Sequence, residues 1–396
     1  MSEWKEYRLS DITSIENKRR IPLNSRQRSE IQGNFPYYGA SGVVDYVNDY
    51  IFDGQYVLIS EDGENLRSRQ TPIAFLVDGQ FWVNNHAHIL KGDDELVNEF
   101  IVYYFQNLNI NPFITGAVQP KLNLENLLSI PIFMPDREER LELTRLLSSL
   151  TRKIENLRKQ NETLEKIAQT LFKHWFVDFE FPNEDGKPYK SSGGDMVRSE
   201  LGEIPAGWQV GELGNIGKNI RDGISEDEIQ PDMNYIALEH MPRKQIALDS
   251  WDTAADIASN KFIFKKGNIL FGKLRPYFHK VGIAFISGIC STDILVLDSK
   301  RKDLFSFLLM VLSSDEFIKY VTLASEGTRM PRTSWEYMKE YPIYIPDNSV
   351  VSAFNDLVKA STNKIENNVF QIQTLTQIRD VLLPKLMSGK LRITAS

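Results

Sequence analysis

Apolar positions along this chain follow two rhythms, and the rhythms alternate twice. Short apolar runs such as YVLIS (56–60), IAFLV (73–77), NILFG (268–272) and DILVLD (293–298) read as strands. PIFMP and PIYIP, at 131–135 and 342–346, read as edge or terminal strands, because proline has no N–H to give to a ladder. Short helices are predicted around 96–108 and 303–320. The spacing then changes to alternating steps of four and three: Leu143, Leu147, Leu150, Ile154, Leu157, Asn161, Leu164, Ala168, Leu171. That is the seam of a long heptad helix, and Asp136, three residues before Glu139, is placed to cap it. A second seam in the same frame is less apolar: Phe354, Val358, Ser361, Ile365, Asn368, Ile372, Leu375, Arg379, Leu382.

The chain is written twice. QPKLNLENLLSIPIFMPD (119–136) matches MPRTSWEYMKEYPIYIPD (330–347) without a gap, at an offset of 211. The same offset carries Lys153-Ile154-Glu155-Asn156 onto Lys364-Ile365-Glu366-Asn367. The expected class is therefore α+β: two mixed α/β domains, each followed by a long helix. The parts are a first domain at 1–135, a helix at 136–178, a linker at 179–205, a second domain at 206–346, a helix at 347–388 and a tail at 389–396. One amphipathic helix of this length, on the order of 60 Å, cannot hide its stripe alone. Two copies in one chain most simply pair, antiparallel, as a coiled coil with pseudo-two-fold symmetry. Asn161 and Asn368 fall on the seam, where they either fix register or mark a solvated end.

Composition narrows the class. Apolar residues make up 42% of 396, enough for real cores, and no run reaches the ~18 apolar residues of a membrane span. The first residues lack the apolar stretch of a secretory leader. The single cysteine, Cys290, excludes an intrachain disulfide and fits a reducing cytoplasmic compartment. The net charge of −7 argues against a stand-alone DNA binder, yet basic residues gather locally. Lys18, Arg19, Arg20, Arg26 and Arg28 form one run. The other spans 261–280, with six Lys or Arg, one His, five Phe or Tyr and no acid. Its core, GNILFGKLRPYFHK, has the spacing of a phosphate-cradling loop, but Leu274 stands where Ser or Thr must reach magnesium. Basic residues interleaved with aromatics suit a nucleic-acid backbone. A solvated basic face fits as well.

Several local strings resemble the specificity subunit of type I restriction-modification enzymes. LFKHWFVDFEFP (171–182) followed by LGEIPAGWQVGELG (201–214) resembles the family's junction between central helix and second domain. LLPKLMSGKLRI (382–393) resembles its ending, and FGKLRPYFHK a stretch of its target recognition domains. The resemblance implies a non-catalytic subunit with no cofactor of its own. Each domain would read one half of a split double-stranded DNA target. The paired helices would set the gap and dock two methyltransferase subunits. S-adenosylmethionine would sit in those partners, and ATP and Mg2+ in motor-nuclease subunits.

On that reading the phosphate near Lys273 is that of DNA. Lys273, Arg275 and Lys280 would neutralise backbone charge, while Arg275, Tyr277 and His279 are placed to reach bases. EGTRMPR (326–332) adds Thr328, Arg329 and Arg332, and its counterpart TGAVQPK (115–121) adds Gln119 and Lys121. In the first domain Arg67, Arg69, Asn84, Asn85 and His86 complete the set. Each is equally readable as a solvated loop residue. Catalytic signals are wanting. Asn111-Pro112-Phe113 only approaches a methyltransferase motif, and His86 and His88, expected on one strand face, are two ligands without a third. The alternatives are a coiled-coil scaffold that binds no DNA, a small enzyme of unfamiliar pattern, and the recognition subunit of a related restriction system.

Overall fold

The computed structural model describes residues 4–116, 118–323 and 330–393. It divides into two compact units, 1–153 with 376–396, and 154–375. The division cuts both long helices, Arg137–Phe176 and Asn348–Met387, so each unit holds one domain and one segment of each helix.

The two domains repeat one topology. In the first unit a four-stranded antiparallel sheet runs in the order Thr13–Ile15, Ala87–Gly92, Tyr56–Ser60, Ala74–Val77. In the second unit the order is Gly217–Ile220, Ile294–Ser299, Ile269–Gly272, Val281–Ile283. Every residue of Tyr56–Ser60 and of Ile269–Gly272 is buried, which is why these strands read as unbroken apolar runs and not as alternation. The proline-flanked strands Pro131–Met134 and Pro342–Ile345 each pair only with the opening strand of their domain, Lys5–Arg8 and Gln209–Glu212. A second sheet in each domain contains one parallel pairing, Tyr37 to Trp82 in the first and Tyr235 to Ile289 in the second.

One predicted helix is two. In place of a single element over 303–320 there are Phe305–Leu312 and Asp315–Leu323. The pair of serines between them breaks the helix. Ser313 Oγ donates back to the carbonyl of Leu309 at 2.9 Å, and Ser314 Oγ accepts from Phe317 N at 3.2 Å as an N-cap. The segment between the helix and the second domain, polar by composition, is folded down by its few aromatics. Phe181 stacks on Tyr189 at 4.6 Å and on Trp208 at 5.2 Å, and Met196–Ser199 pairs with Gly202–Pro205.

The helices pack on each other within each unit. In the second, Ile154 and Leu157 cluster with Ile372 and Leu375, and the buried Asn368 Nδ2 donates to Asn161 Oδ1 at 2.8 Å. The partner moves back along the second helix as the first advances, so the helices run antiparallel. Phe354, Val358 and Ile365 belong to the adjoining core, with Leu164 and Leu171 packed against it. In the first unit Leu143 and Leu147 share a core with Leu383, Leu386 and Met387, against which Leu382 packs, and Leu150 is half-buried. The two asparagines are thus a mutual pair inside the seam. Asn368 Oδ1 has no partner among the described residues, a cost that an apolar pair would avoid. Asp136 caps the first helix as its spacing predicts, accepting from Glu139 N at 3.0 Å. No helix among the described residues is long and apolar enough to cross a membrane.

Candidate nucleic-acid interface

In both domains the same three backbone bonds gather three distant segments. In the first, Glu61 N donates to His86 O (2.9 Å), Leu122 N to Glu61 O (2.8 Å) and Gly63 N to Pro120 O (3.0 Å). In the second, Lys273 N donates to Asp293 O (2.9 Å), Thr333 N to Lys273 O (3.0 Å) and Arg275 N to Pro331 O (2.8 Å). The junctions correspond residue by residue: Glu61 to Lys273, Gly63 to Arg275, His86 to Asp293, Lys121 to Arg332. Each forms where a central strand ends and the segment before the short helix crosses it. The stretches 64–70, 84–88 and 115–121, separate in the sequence, therefore meet around Glu61–Gly63.

The chemistry hung on this frame differs. In the first junction Glu61 is the hub. It takes Arg20 at 2.7 Å, Lys121 at 3.4 Å and His88 at 3.7 Å. Burial alone would push the Glu61 carboxyl up. The hydrogen bond from Arg20, with the charges of His88, Arg20 and Lys121, reverses this and holds it below the usual range. His86, half-exposed, sits on Asp62 at 2.9 Å. Arg67 Nη2 donates to Gly116 O at 2.9 Å. Thr115 and Lys121 close the loop between them with paired bonds of 2.8 Å, leaving Gln119 exposed. Gly116 is required there. Its φ is +84° and an added Cβ would lie 2.2 Å from the carbonyl oxygen of Gln119.

In the second junction the hub position carries Lys273, half-buried and in no ion pair among the described residues. The acid has moved to Asp293, which takes Arg332 Nε at 3.0 Å and holds its guanidinium above its ordinary value. Arg275 has φ +50°, where the first domain has Gly63 at +109°. A non-glycine residue in the left-handed region costs roughly 1–2 kcal/mol. Such strain is retained where the side chain is needed. Tyr277 is 49% exposed, with its ring against Phe278 at 4.8 Å.

Other residues of the expected set face inward. His279 is buried, its Nε2 3.0 Å from Ser313 O, and burial pushes its imidazole pKa down. Lys280 Nζ donates to Leu238 O. Arg69, with φ +52°, donates to the carbonyls of Phe105 and Leu108 at the end of the helix Glu95–Asn107. Of Asn84 and Asn85, the first closes a turn by accepting from His86 N at 2.8 Å, and the second is exposed. His86 and His88 do not share a face. His88 lies inside the strand between Leu122 O and Asn17, whereas His86 precedes the strand on the surface. Thr328 and Arg329 lie outside the described residues. Much of the run 18–28 has internal partners: Arg20 on Glu61, Arg28 on Asp45, Arg19 over Phe52. Sequence reasoning passed over Glu61, Asp62 and Asp293 because a lone acid carries no spacing signal; Arg20 was visible only as part of a run. Cys290 is buried and its thiol is pushed up to about 12, which makes it a core residue and not a nucleophile.

Comparison with known proteins agrees with this duplicated architecture. The family described as type I restriction modification DNA specificity domain matches residues 1–166 and again 205–371. The MjaIX specificity subunit of Methanocaldococcus jannaschii is 27% identical, covering 97% of this chain and 94% of its own. A putative type I specificity subunit of Haemophilus influenzae is 38% identical over 148 residues, 37% of each protein. Among solved structures, the type I restriction-modification S subunit from M. genitalium superposes over 100% of this chain with a TM-score of 0.59 at 14% identity, a likeness of fold. With two matches of one family model, each spanning a domain and more than half of its long helix, this chain belongs to the type I restriction-modification DNA specificity family.

Proposed function

We propose that the chain reads a split double-stranded DNA target, one half-site per domain, for a type I restriction-modification complex. The observation that carries this reading is the repeated junction. One backbone frame, built twice, presents a different set of charged and polar groups each time. That is what two related readers of two different half-sites require. The contact set is Lys121, Gln119, Arg67, His86 and Asn85 in the first domain, and Lys273, Arg275, Tyr277 and Arg332 in the second. His279, Lys280 and Arg69 shape these surfaces from inside.

Chemistry then belongs to partners. Two methyltransferase subunits dock on the paired helices and supply S-adenosylmethionine; motor-nuclease subunits supply ATP and Mg2+ chemistry. The chain's own contribution is to choose the sequence and hold it. Expression with the cognate methyltransferase, in a host lacking adenine methylation, tests this. The expected result is methylated adenine in a motif of two short halves around a fixed gap, only when both proteins are present. A contiguous motif, or DNA affinity indifferent to sequence in a stable complex, would contradict it.

A further inference from the structure

Five non-glycine residues among those described have left-handed backbone, and three of them, Lys244, Arg275 and His279, meet in one place. Lys244 N donates to His279 O at 2.8 Å, and Arg275 opens the turn that His279 closes. Strained positions persist only where their surroundings over-determine them. The turn is held by Ser313 O, 3.0 Å from His279 Nε2, by Pro331 O, which accepts from Arg275 N at 2.8 Å, and by the segment 238–249. Its near end grips the turn. The Arg243 guanidinium lies 4.1 Å from the centre of the Phe278 ring, and Lys280 Nζ donates to Leu238 O. Its middle runs beside Val281–Ile283, with Ile283 N donating to Ile246 O at 2.9 Å.

Its far end is fastened to the first long helix by three side chains on one face. Arg158 Nε donates to Asp249 Oδ2 at 2.8 Å, and Glu162 Oε1 accepts from Gln245 Nε2 at 3.1 Å. Glu165 accepts from both Ile246 N and Ala247 N at 3.0 Å each. Glu165 is only 4% exposed. A buried carboxylate is costly to place, and this one bonds to none of the four residues assigned to DNA in the second domain. It satisfies two adjacent backbone donors that would otherwise be buried without partners.

We propose that Glu165 is a positioning residue for DNA reading: through the strap 238–249 it ties the spacer helix to the turn carrying Arg275 and Tyr277. The proposal rests on that turn facing DNA. Release of the strap leaves the domain folded on its own core but lets the strained turn relax, so discrimination at one half-site falls while the other is untouched. Displacing recognising groups by an ångström is enough for losses of tenfold or more.

The test is the methylation motif of the full chain with its methyltransferase, comparing wild type, Glu165→Ala, Glu165→Gln, Arg243→Ala and Arg275→Ala. Arg275→Ala identifies the half read by the second domain. Glu165→Ala is expected to raise methylation of sites mismatched in that same half by about tenfold. Arg243→Ala, cut at the other end of the strap, gives the same signature, and Glu165→Gln, which keeps one acceptor, a smaller one. Equal loss at both halves, or an unchanged motif beside a degraded one for Arg275→Ala, overturns the strap. If Arg275→Ala itself leaves both halves intact, the turn does not read DNA, and that separate failure removes the basis of the proposal. Thermal melts of each variant distinguish lost folding from lost discrimination.

Discussion

The two junctions share three backbone hydrogen bonds and almost nothing else. In the first domain the hub is an acid, Glu61, enclosed by Arg20, Lys121 and His88. In the second the hub is Lys273, and the acid, Asp293, stands across the crossing and holds Arg332. The first junction is thus a closed electrostatic cluster with an exposed loop beyond it. The second is open and positive. Duplication has conserved the frame because the backbone bonds and the buried strands beneath it determine the fold. The side chains at its rim carry little of the core, so they are free to differ.

The contrast is broken most severely at its hubs. Glu61→Ala leaves the mostly buried Arg20 without its carboxylate, and is expected to cost the first domain about 3 kcal/mol. Asp293→Ala, at a more exposed pair, should cost under about 1 kcal/mol. Urea unfolding of the two variants measures both, and equal costs would erase the distinction between a closed and an open junction.

Acid and base sharpen it next. Glu61 is held below its ordinary value by the cations around it, so its stabilisation is present above the unfolded value of 4.5 and is lost as pH falls through the lower folded value. Glu165 is raised from 4.5 to about 7, first by burial, against the pull of the Ile246 and Ala247 N–H groups, with Glu162 adding to the rise. Its sign is opposite. Stability is fully present below 4.5 and declines as pH rises toward about 7. Glu61→Gln should therefore flatten the acid limb of the stability profile, and Glu165→Gln the limb between 4.5 and about 7. Denaturant midpoints across pH decide the matter; a shared direction would mean that one of the two environments is misassigned.

Arg275→Gly installs the residue of the first junction in the second. Relief of the left-handed strain is expected to stabilise the domain by about 1 kcal/mol while discrimination at its half-site is lost. A variant both less stable and equally selective would remove the argument from strain. Smallest is Lys273→Ala, expected to weaken binding alike at all sequences and to lower the salt dependence of affinity by about one ion. A changed motif instead would make Lys273 a reader of bases.

The fold was largely legible because its signals are periodic. The heptad seam, the offset of 211 and the apolar runs at 56–60 and 268–272 each repeat or persist over several residues. Where a signal was a single side chain the reading thinned. Ser313 and Ser314 broke a helix that the apolar pattern ran through. Phe181 and Tyr189 folded down a segment that composition made a linker. At the candidate interface the sequence pointed to stretches but not to directions: Tyr277 faces solvent and His279, two residues on, faces Ser313, because a 3-10 turn over Pro276–Phe278, flanked by left-handed Arg275 and His279, turns the chain there. The strap 238–249 had no signature at all, since the bonds that Glu165 accepts are made by backbone N–H groups that every residue possesses, and its side-chain ties to Arg158 and Glu162 join residues more than 80 positions apart.

The most direct test of the account is to alter one junction at a time and read the methylation motif made with the cognate methyltransferase. Gln119→Ala with Lys121→Ala changes the first; Arg275→Ala with Arg332→Ala changes the second. The account predicts that each pair degrades one half of the split motif, a different half in each case, with the gap unchanged. Degradation of the same half by both, or of both halves by either, would contradict it.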